Sequence, residues 1–283
     1  MKMVQAGQRD EIDEIAVRFA AMPAFPLAVR EYIVTMTGMR QRYKFLHKVI
    51  SHNARWRVAG FLMYLSADRE RFGAEGGATY TNLLEMCRRR AEIKPRVLKT
   101  VLALLQITGS VKVVRKEDDR RSKFYQPTAR MHEFMRHWMG NSTRVLDILE
   151  PEKRRSQLLR DDPGFCDRFL VSSGRAHLTA VPLVERMPEH TAFFGSRDGA
   201  AAVAHAVLLA EIDDLLVPSR AELTKLYGFS KTQFTKVLTD GEARGYFVVD
   251  GAGVPAPTPR LRASYSKWVS IELAFYAFHM QPS

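Results

Sequence analysis

The sequence predicts a mainly α-helical chain carrying two small β-hairpins. Three observations predict it. Apolar residues recur at three- and four-residue spacing over most of the 283 positions, the period of a buried helix face. Two stretches, Glu92 to Met131 and Lys231 to Leu261, interrupt that period in the same way: helix, glycine, strand, turn, strand and helix again. The two stretches are also related position by position. Phe234, Val237, Leu238, Gly245, Phe247 and Val249 stand 136 places after Leu98, Val101, Leu102, Gly109, Val111 and Val113. Beyond the hairpin the offset is 130, and Pro257, Thr258, Arg260, Leu261 and Trp268 match Pro127, Thr128, Arg130, Met131 and Trp138. The change of six is a shortened second hairpin, and matching apolar positions on both sides of it mark an internal repeat.

The first stretch is the better signalled. Lys94-Pro95 opens its helix, since proline is tolerated in a first turn. Leu98, Val101, Leu102 and Leu105 form one buried stripe, and Gly109 stops the helix in the way a left-handed position favours. Val111 and Val113 alternate with Lys112 into a strand, Arg115 to Ser122 form a charged tip, and Lys123-Phe124-Tyr125 returns. From Lys112 to Lys123 there are six basic and three acidic residues. A helix followed by a basic hairpin is the pattern of a winged helix-turn-helix. There the helix enters a major groove and the wing's cations reach phosphate or the minor groove. With the repeat, the fold class is two winged helix-turn-helix modules in one chain, packed as a pseudo-dimer.

The wing also resembles that of a known family. Asp119-x-Arg121-x5-Pro127-Thr128 is similar to the D-x-R-x5-L-T signature of MarR-type transcriptional regulators, with Pro127 where that family has leucine. The resemblance covers residues 50–140. It implies that Arg121 reaches the DNA minor groove and that Asp119 buttresses it. It also implies outer helices that serve dimerisation or an effector pocket.

The remaining elements follow in order. Residues 10–21 form an amphipathic helix with Ile12, Ile15, Ala16 and Phe19 on one face. Pro23 and Pro26 end it, and a second helix fills Leu27 to Ser51, with a kink expected at Gly38. Its Tyr32, Met36, Met39, Tyr43 and Leu46 read as core or as an effector-pocket face. Trp56 to Glu70 is the first helix of module one, burying Val58, Phe61, Leu62 and Leu65. Thr79 or Thr81 caps the next helix, Asn82 to Arg89, and Cys87 is a core residue. Met131, Phe134, Met135 and Trp138 mark a helix punctuated by Gly140-Asn141-Ser142. Then come short helices at 144–149, at Pro151 with exposed cations, and at 163–171. The segment holding Pro182, Pro188 and Gly195 is irregular. In module two a long apolar helix spans Arg197 to Leu216. Ser219 and Glu222 form a capping box, Ser230 caps Lys231 to Arg244, and a last helix runs from Ala263 to His279. The domains so expected are 1–54, 55–139, 140–196 and 197–283. Leu98 with Phe234, and Trp138 with Trp268, are expected to be buried pairs.

The charge balance, 43 Lys+Arg against 31 Asp+Glu, favours a polyanion, nucleic acid before membrane. No apolar run reaches membrane-spanning length, two cysteines make neither a disulfide framework nor a metal quartet, and a cytoplasmic protein is expected. No phosphate loop, HExxH or CxxC occurs, so neither enzyme activity nor a cofactor or metal is expected. The expected DNA contacts are Arg88, Arg89, Arg90, Lys94, Arg96, Lys99, Thr100, Arg115, Lys116, Arg120, Arg121 and Lys123 in module one. In module two they are Lys231, Thr232, Gln233 and Lys236, with Gln233 placed to pair with adenine. The partner expected is double-stranded DNA, with a small-molecule effector between modules, bound by one pseudo-dimeric chain or a homodimer. A sequence-specific transcriptional regulator is the first reading. A plasmid-type replication initiator with tandem winged helices and a winged-helix protein-interaction scaffold are the alternatives.

Overall fold

The computed structural model describes residues 2–50, 53–74, 76–89, 93–115, 123–179, 182–197, 199–228 and 230–281, with backbone only at 2–10, 47, 48, 89 and 179. It is mainly helical, with two antiparallel two-stranded sheets. Helix α1 spans Lys2–Ala20, and the expected face of Ile12, Ala16 and Phe19 is buried. Helix α2 spans Phe25–Arg42, with Pro26 in its first turn, and α3 spans Lys44–Ile50. The expected single helix therefore breaks at Tyr43 and not at Gly38. A bare glycine does not bend a helix whose hydrogen bonds are intact, whereas Tyr43 leaves helical geometry at φ −113° and ψ 41°.

Helices α4 (Asn53–Ala67), α5 (Arg69–Phe72), α6 (Tyr80–Arg89) and α7 (Pro95–Ile107) follow. Thr79 caps α6, its Oγ1 accepting from the Asn82 N–H at 3.2 Å. Strands β1 (Val111–Arg115) and β2 (Lys123–Pro127) pair with Val111 opposite Pro127 and Arg115 opposite Lys123. Helix α8 then runs unbroken over Ala129–Leu149. It passes through the stop expected at Gly140-Asn141-Ser142 and through the boundary expected after 139. Its polar residues bond within the helix instead of ending it: Ser142 donates to the Trp138 carbonyl at 3.2 Å and Thr143 to that of Gly140 at 3.1 Å.

A one-turn 3-10 segment, Pro151–Lys153, leads through Arg154 at φ +45° into α9 (Arg155–Asp161). Arg155, expected on a solvated face, is buried against the Glu150 carboxylate at 2.7 Å. Helix α10 (Phe165–Thr179) outlasts its expected end, because Ser173 returns its hydroxyl to the Phe169 carbonyl and Gly174 lies against Tyr64 of α4. The segment 183–195 holds a 3-10 turn, the short α11 (Pro188–His190) and a π turn, Thr191–Gly195.

Helix α12 (Ala200–Ile212) stops four residues before the expected end, and Leu215 and Leu216 are exposed. Helix α13 (Arg220–Tyr227) opens on the expected capping box of Ser219 and Glu222. Helix α14 (Lys231–Ala243), strands β3 (Phe247–Val249) and β4 (Pro255–Pro257), and helix α15 (Pro259–His279) complete the chain. The last helix begins at Pro259, because Thr258 caps it by accepting from the Leu261 N–H at 3.2 Å.

The related stretches make the same bonds. Gly109 and Gly245 have φ +67° and +70°. Ser110 N–H donates to Leu105 at 2.9 Å, and Tyr246 N–H to Gly241 at 2.8 Å. The Thr128 and Thr258 hydroxyls donate to the carbonyls of Gly109 and Gly245 at 2.7 and 2.6 Å. Val111 faces Pro127 as Phe247 faces Pro257. Helix α4 packs on α6, α7 and β2, while α12 packs on α14 and β4. Leu98 and Phe234 are both buried. Trp138 and Trp268 are only half-buried, because both face a cavity.

One apolar core runs from Ile12 to Met280. Helix α1 packs along α15, and α2 lies between α8 and α12, so the N-terminal helices tie the two repeats together. Arg30 reinforces this with a two-pronged pair to Asp213 at 2.6 and 3.0 Å.

Candidate nucleic-acid interface

The first repeat presents its cations outward because its apolar residues claim the inner face. Leu98, Val101, Leu102 and Leu105 of α7 pack on α3, α4 and α6. That leaves Lys94, Arg96, Lys99 and Thr100 exposed on the opposite side. Lys94 is the residue before the helix, extended at φ −62° and ψ 146° as a residue preceding proline should be. The Lys99 ammonium sits 5.9 Å from the Tyr80 ring centre, which joins α7 to the start of α6. Thr100 donates its hydroxyl to the Arg96 carbonyl at 2.9 Å, leaving the oxygen free to accept. Arg88 is exposed at the end of α6.

The hairpin extends this surface. Val111 turns inward, Lys112 and Arg115 are exposed, and Lys123 is exposed directly across from Arg115. Like charges opposite one another destabilise a hairpin. Among the described residues, Arg88, Lys94, Arg96, Lys112, Arg115 and Lys123 have no ion pair. Arg90, Lys116, Arg120 and Arg121, with Asp119, lie outside the described residues, as does the Arg89 side chain.

The second repeat spends its polar groups internally. Lys231, Thr232, Gln233 and Lys236 are exposed on α14. Gln233, however, closes a capping box: its Oε1 accepts from Ser230 N–H at 2.9 Å, and its own N–H donates to Ser230 Oγ at 3.1 Å. The two-pronged adenine contact expected of Gln233 needs that oxygen, so the cap must open first. The Lys231 carbonyl accepts from Arg220 at 2.9 Å. Nearby, Arg197 pairs with Asp240, Arg260 with Glu189, and Arg262 with Glu211. The short hairpin is closed by Asp250, whose carboxylate accepts from Ala252 and Val254 N–H at 2.9 and 2.8 Å. Its one charge is thus a turn device.

No family model matches this chain, and no curated protein or solved structure matches it. Among the described residues, no helix is long and apolar enough to cross a membrane.

A cavity of about 340 Å³ is lined by residues of α2, α4, α8, α10, α12 and α15. On its wall Glu272 of α15 is buried among Val269, Ile271, Leu273 and Ala274. The Tyr32 hydroxyl donates to one of its oxygens, and the Tyr276 hydroxyl to the other at 3.1 Å. Burial raises the Glu272 pKa above the ordinary carboxylate value, and the two tyrosine hydrogen bonds act against that rise. Burial also pushes His190 down to about 3 and His279 to about 4, so both are neutral. Sequence reasoning named Tyr32, with Met36 and Met39, as core or as an effector-pocket face, and all three line this cavity; it did not name Glu272, Tyr276, His190 or His279. A glutamate directly between Ile271 and Leu273 in a largely apolar helix was the available signal.

Proposed function

We propose that this chain is a sequence-specific DNA-binding transcriptional regulator made of two winged helix-turn-helix modules. Helix α7 is the first recognition helix, and β1–β2 with its tip is the first wing. The observation that carries this reading is the set of exposed cations on α7 and on the hairpin, without ion pairs among the described residues, with Arg115 set against Lys123. A surface of that kind is stabilised by a polyanion. Phosphates set at the regular spacing of duplex DNA neutralise such a run, releasing counterions. The Asp119-x-Arg121 motif and the repeated helix–hairpin bonding support the same reading. Helix α14 is the second recognition helix, and the shared N-terminal helices hold both at one spacing.

Selection of bound fragments from genomic DNA tests it. Purified protein should enrich a small set of sites, each an imperfect palindrome, with affinity falling about tenfold or more as salt rises a few-fold. Enrichment of iterated repeats at a single locus would favour replication initiation. No enrichment at low salt would end the DNA-binding reading.

A further inference from the structure

The ends of α4 and α12 are built alike. Each helix is followed at once by an aspartate, Asp68 or Asp213, and each aspartate takes a two-pronged arginine from outside its repeat. Arg175 of α10 meets Asp68 at 3.0 and 2.7 Å, and Arg30 of α2 meets Asp213 at 2.6 and 3.0 Å. Beyond the aspartate the two ends differ. In the first repeat the chain folds back over the helix end: Gly77 N–H donates to the Leu65 carbonyl at 2.6 Å, and Phe72 packs against the core.

The second repeat leaves its helix end bare. Asp214 fills a left-handed position at φ +51°, and Leu215 N–H donates to the Ala210 carbonyl at 2.7 Å. Helices that stop in this way frequently lay the next apolar residue back on their last turn. Leu215 does not pack there: it is 65% exposed, and Leu216 is 94% exposed. Ile212 of α12, Leu226 of α13 and Val34 of α2 are exposed as well, and α12 and α13 both pack on α2. Val34 stands one turn after Arg30, and Ile212 directly before Asp213, so these two flank the ion pair.

An apolar patch rimmed by polar groups marks a protein contact. The charges of this patch choose the partner. Arg30 is neutralised by Asp213, so the patch does not attract a polyanion as the cations of α7 do. Two exposed charges beside the leucines have no ion pair among the described residues: Asp214, directly before Leu215, and Lys225, directly before Leu226. One acid and one base on a single apolar face make that face complementary to itself. A two-fold rotation sets Asp214 of each copy towards Lys225 of the other, with the leucines buried between them. A partner of uniform charge satisfies only one of the two. The helices that unite the repeats, α1 on α15 and α2 between α8 and α12, are already engaged within one chain, so this contact is a separate one.

We propose that the bare end of α12, with Leu215 and Leu216 at its centre, is the docking surface for a second copy of this chain across a two-fold axis. The proposal does not rest on the DNA reading, and its test contains no DNA. Sedimentation velocity of the full chain from micromolar to hundreds of micromolar should show a monomer–dimer equilibrium. Leu216→Asp should raise the dimer dissociation constant about tenfold or more. Its side chain is exposed, so the circular dichroism of that variant should match the parent's. Asp214→Lys and Lys225→Asp should each weaken the dimer, because each sets like charges against one another. The double variant, Asp214→Lys with Lys225→Asp, restores opposite charges and should regain the dimer, which a mere disturbance of the helix stop would not allow. A monomer at every concentration overturns the proposal. So does open-ended growth beyond a dimer, a dimer that Leu216→Asp leaves intact, or a double variant as weak as the single ones.

Discussion

The indole Nε1 of Trp138 donates to the phenolic oxygen of Tyr276 at 2.9 Å, joining α8 to α15, the two helices that occupy matching places in the repeat. Tyr276 in turn donates to Glu272, which also receives Tyr32 from α2. Tyr276→Phe removes one donor from a buried carboxylate and the acceptor of the indole. Stability should fall by about 1–3 kcal/mol in urea unfolding. Trp138→Phe should couple to it in a double-mutant cycle. Strict additivity would mean that the bond between the helices contributes nothing.

The matching threonines give a test of equivalence. Thr128→Val and Thr258→Val each delete a hydroxyl that donates to a left-handed glycine's carbonyl. Thr258→Val also deletes the cap of α15. Each should cost about 1 kcal/mol, with Thr258→Val the larger by a few tenths. Chemical denaturation of both variants measures this, and a neutral outcome at one site alone would separate the two joints.

DNA affinity should divide unequally. Lys99→Ala removes an exposed cation and should lower the slope of log affinity against log salt by about 1. Arg96→Ala and Arg121→Ala should weaken binding at least as much. Lys236→Ala should matter less, since the second repeat pairs its arginines with Asp240, Glu189 and Glu211. Footprinting should protect one half-site more strongly. Equal protection, with Lys236→Ala as damaging as Arg121→Ala, would defeat the asymmetry.

Acid should destabilise the protein through two histidines. His190 and His279 are neutral when folded, held at about 3 and about 4 by burial. In the unfolded chain each binds a proton near 6.5. Their contribution is complete above that value and is lost as pH falls towards 4 and then 3. Glu272 acts oppositely, because its raised pKa favours the folded state at low pH. Unfolding free energy should drop by roughly 2 kcal/mol per histidine between pH 7 and pH 5. His190→Gln and His279→Gln should each flatten that slope. A slope unchanged by both variants would assign acid lability to the paired carboxylates.

Close packing of α10 on α4 predicts an intolerant glycine. A Cβ at Gly174 would stand 2.2 Å from the Tyr64 ring, which is itself buried. Gly174→Ala should therefore destabilise by about 1–3 kcal/mol despite its better helix propensity. Gly38→Ala, which meets nothing within 4 Å, should stabilise slightly. Thermal unfolding of the two variants distinguishes packing from propensity.

The sequence alone determined what short-range chemistry controls. Pro95, Gly109 and Gly245 set helix limits through φ and missing donors, and Ser219 and Ser230 through side chains that reach three residues on. The buried stripe of α7 followed from period, and the second hairpin's shortness from a count. Tertiary structure alone decided the rest. Helix α8 continues through Gly140 because Asn141 and its neighbours find partners within the helix and on α2, not in a turn. Arg155 is buried against Glu150, which Arg18 reaches from 132 positions away, and Glu272 accepts from Tyr32, 240 positions away. Period and caps act over three or four residues, and so can be read along the chain. A charge's burial and a cavity's shape depend on groups more than a hundred positions apart, which only the folded chain brings together.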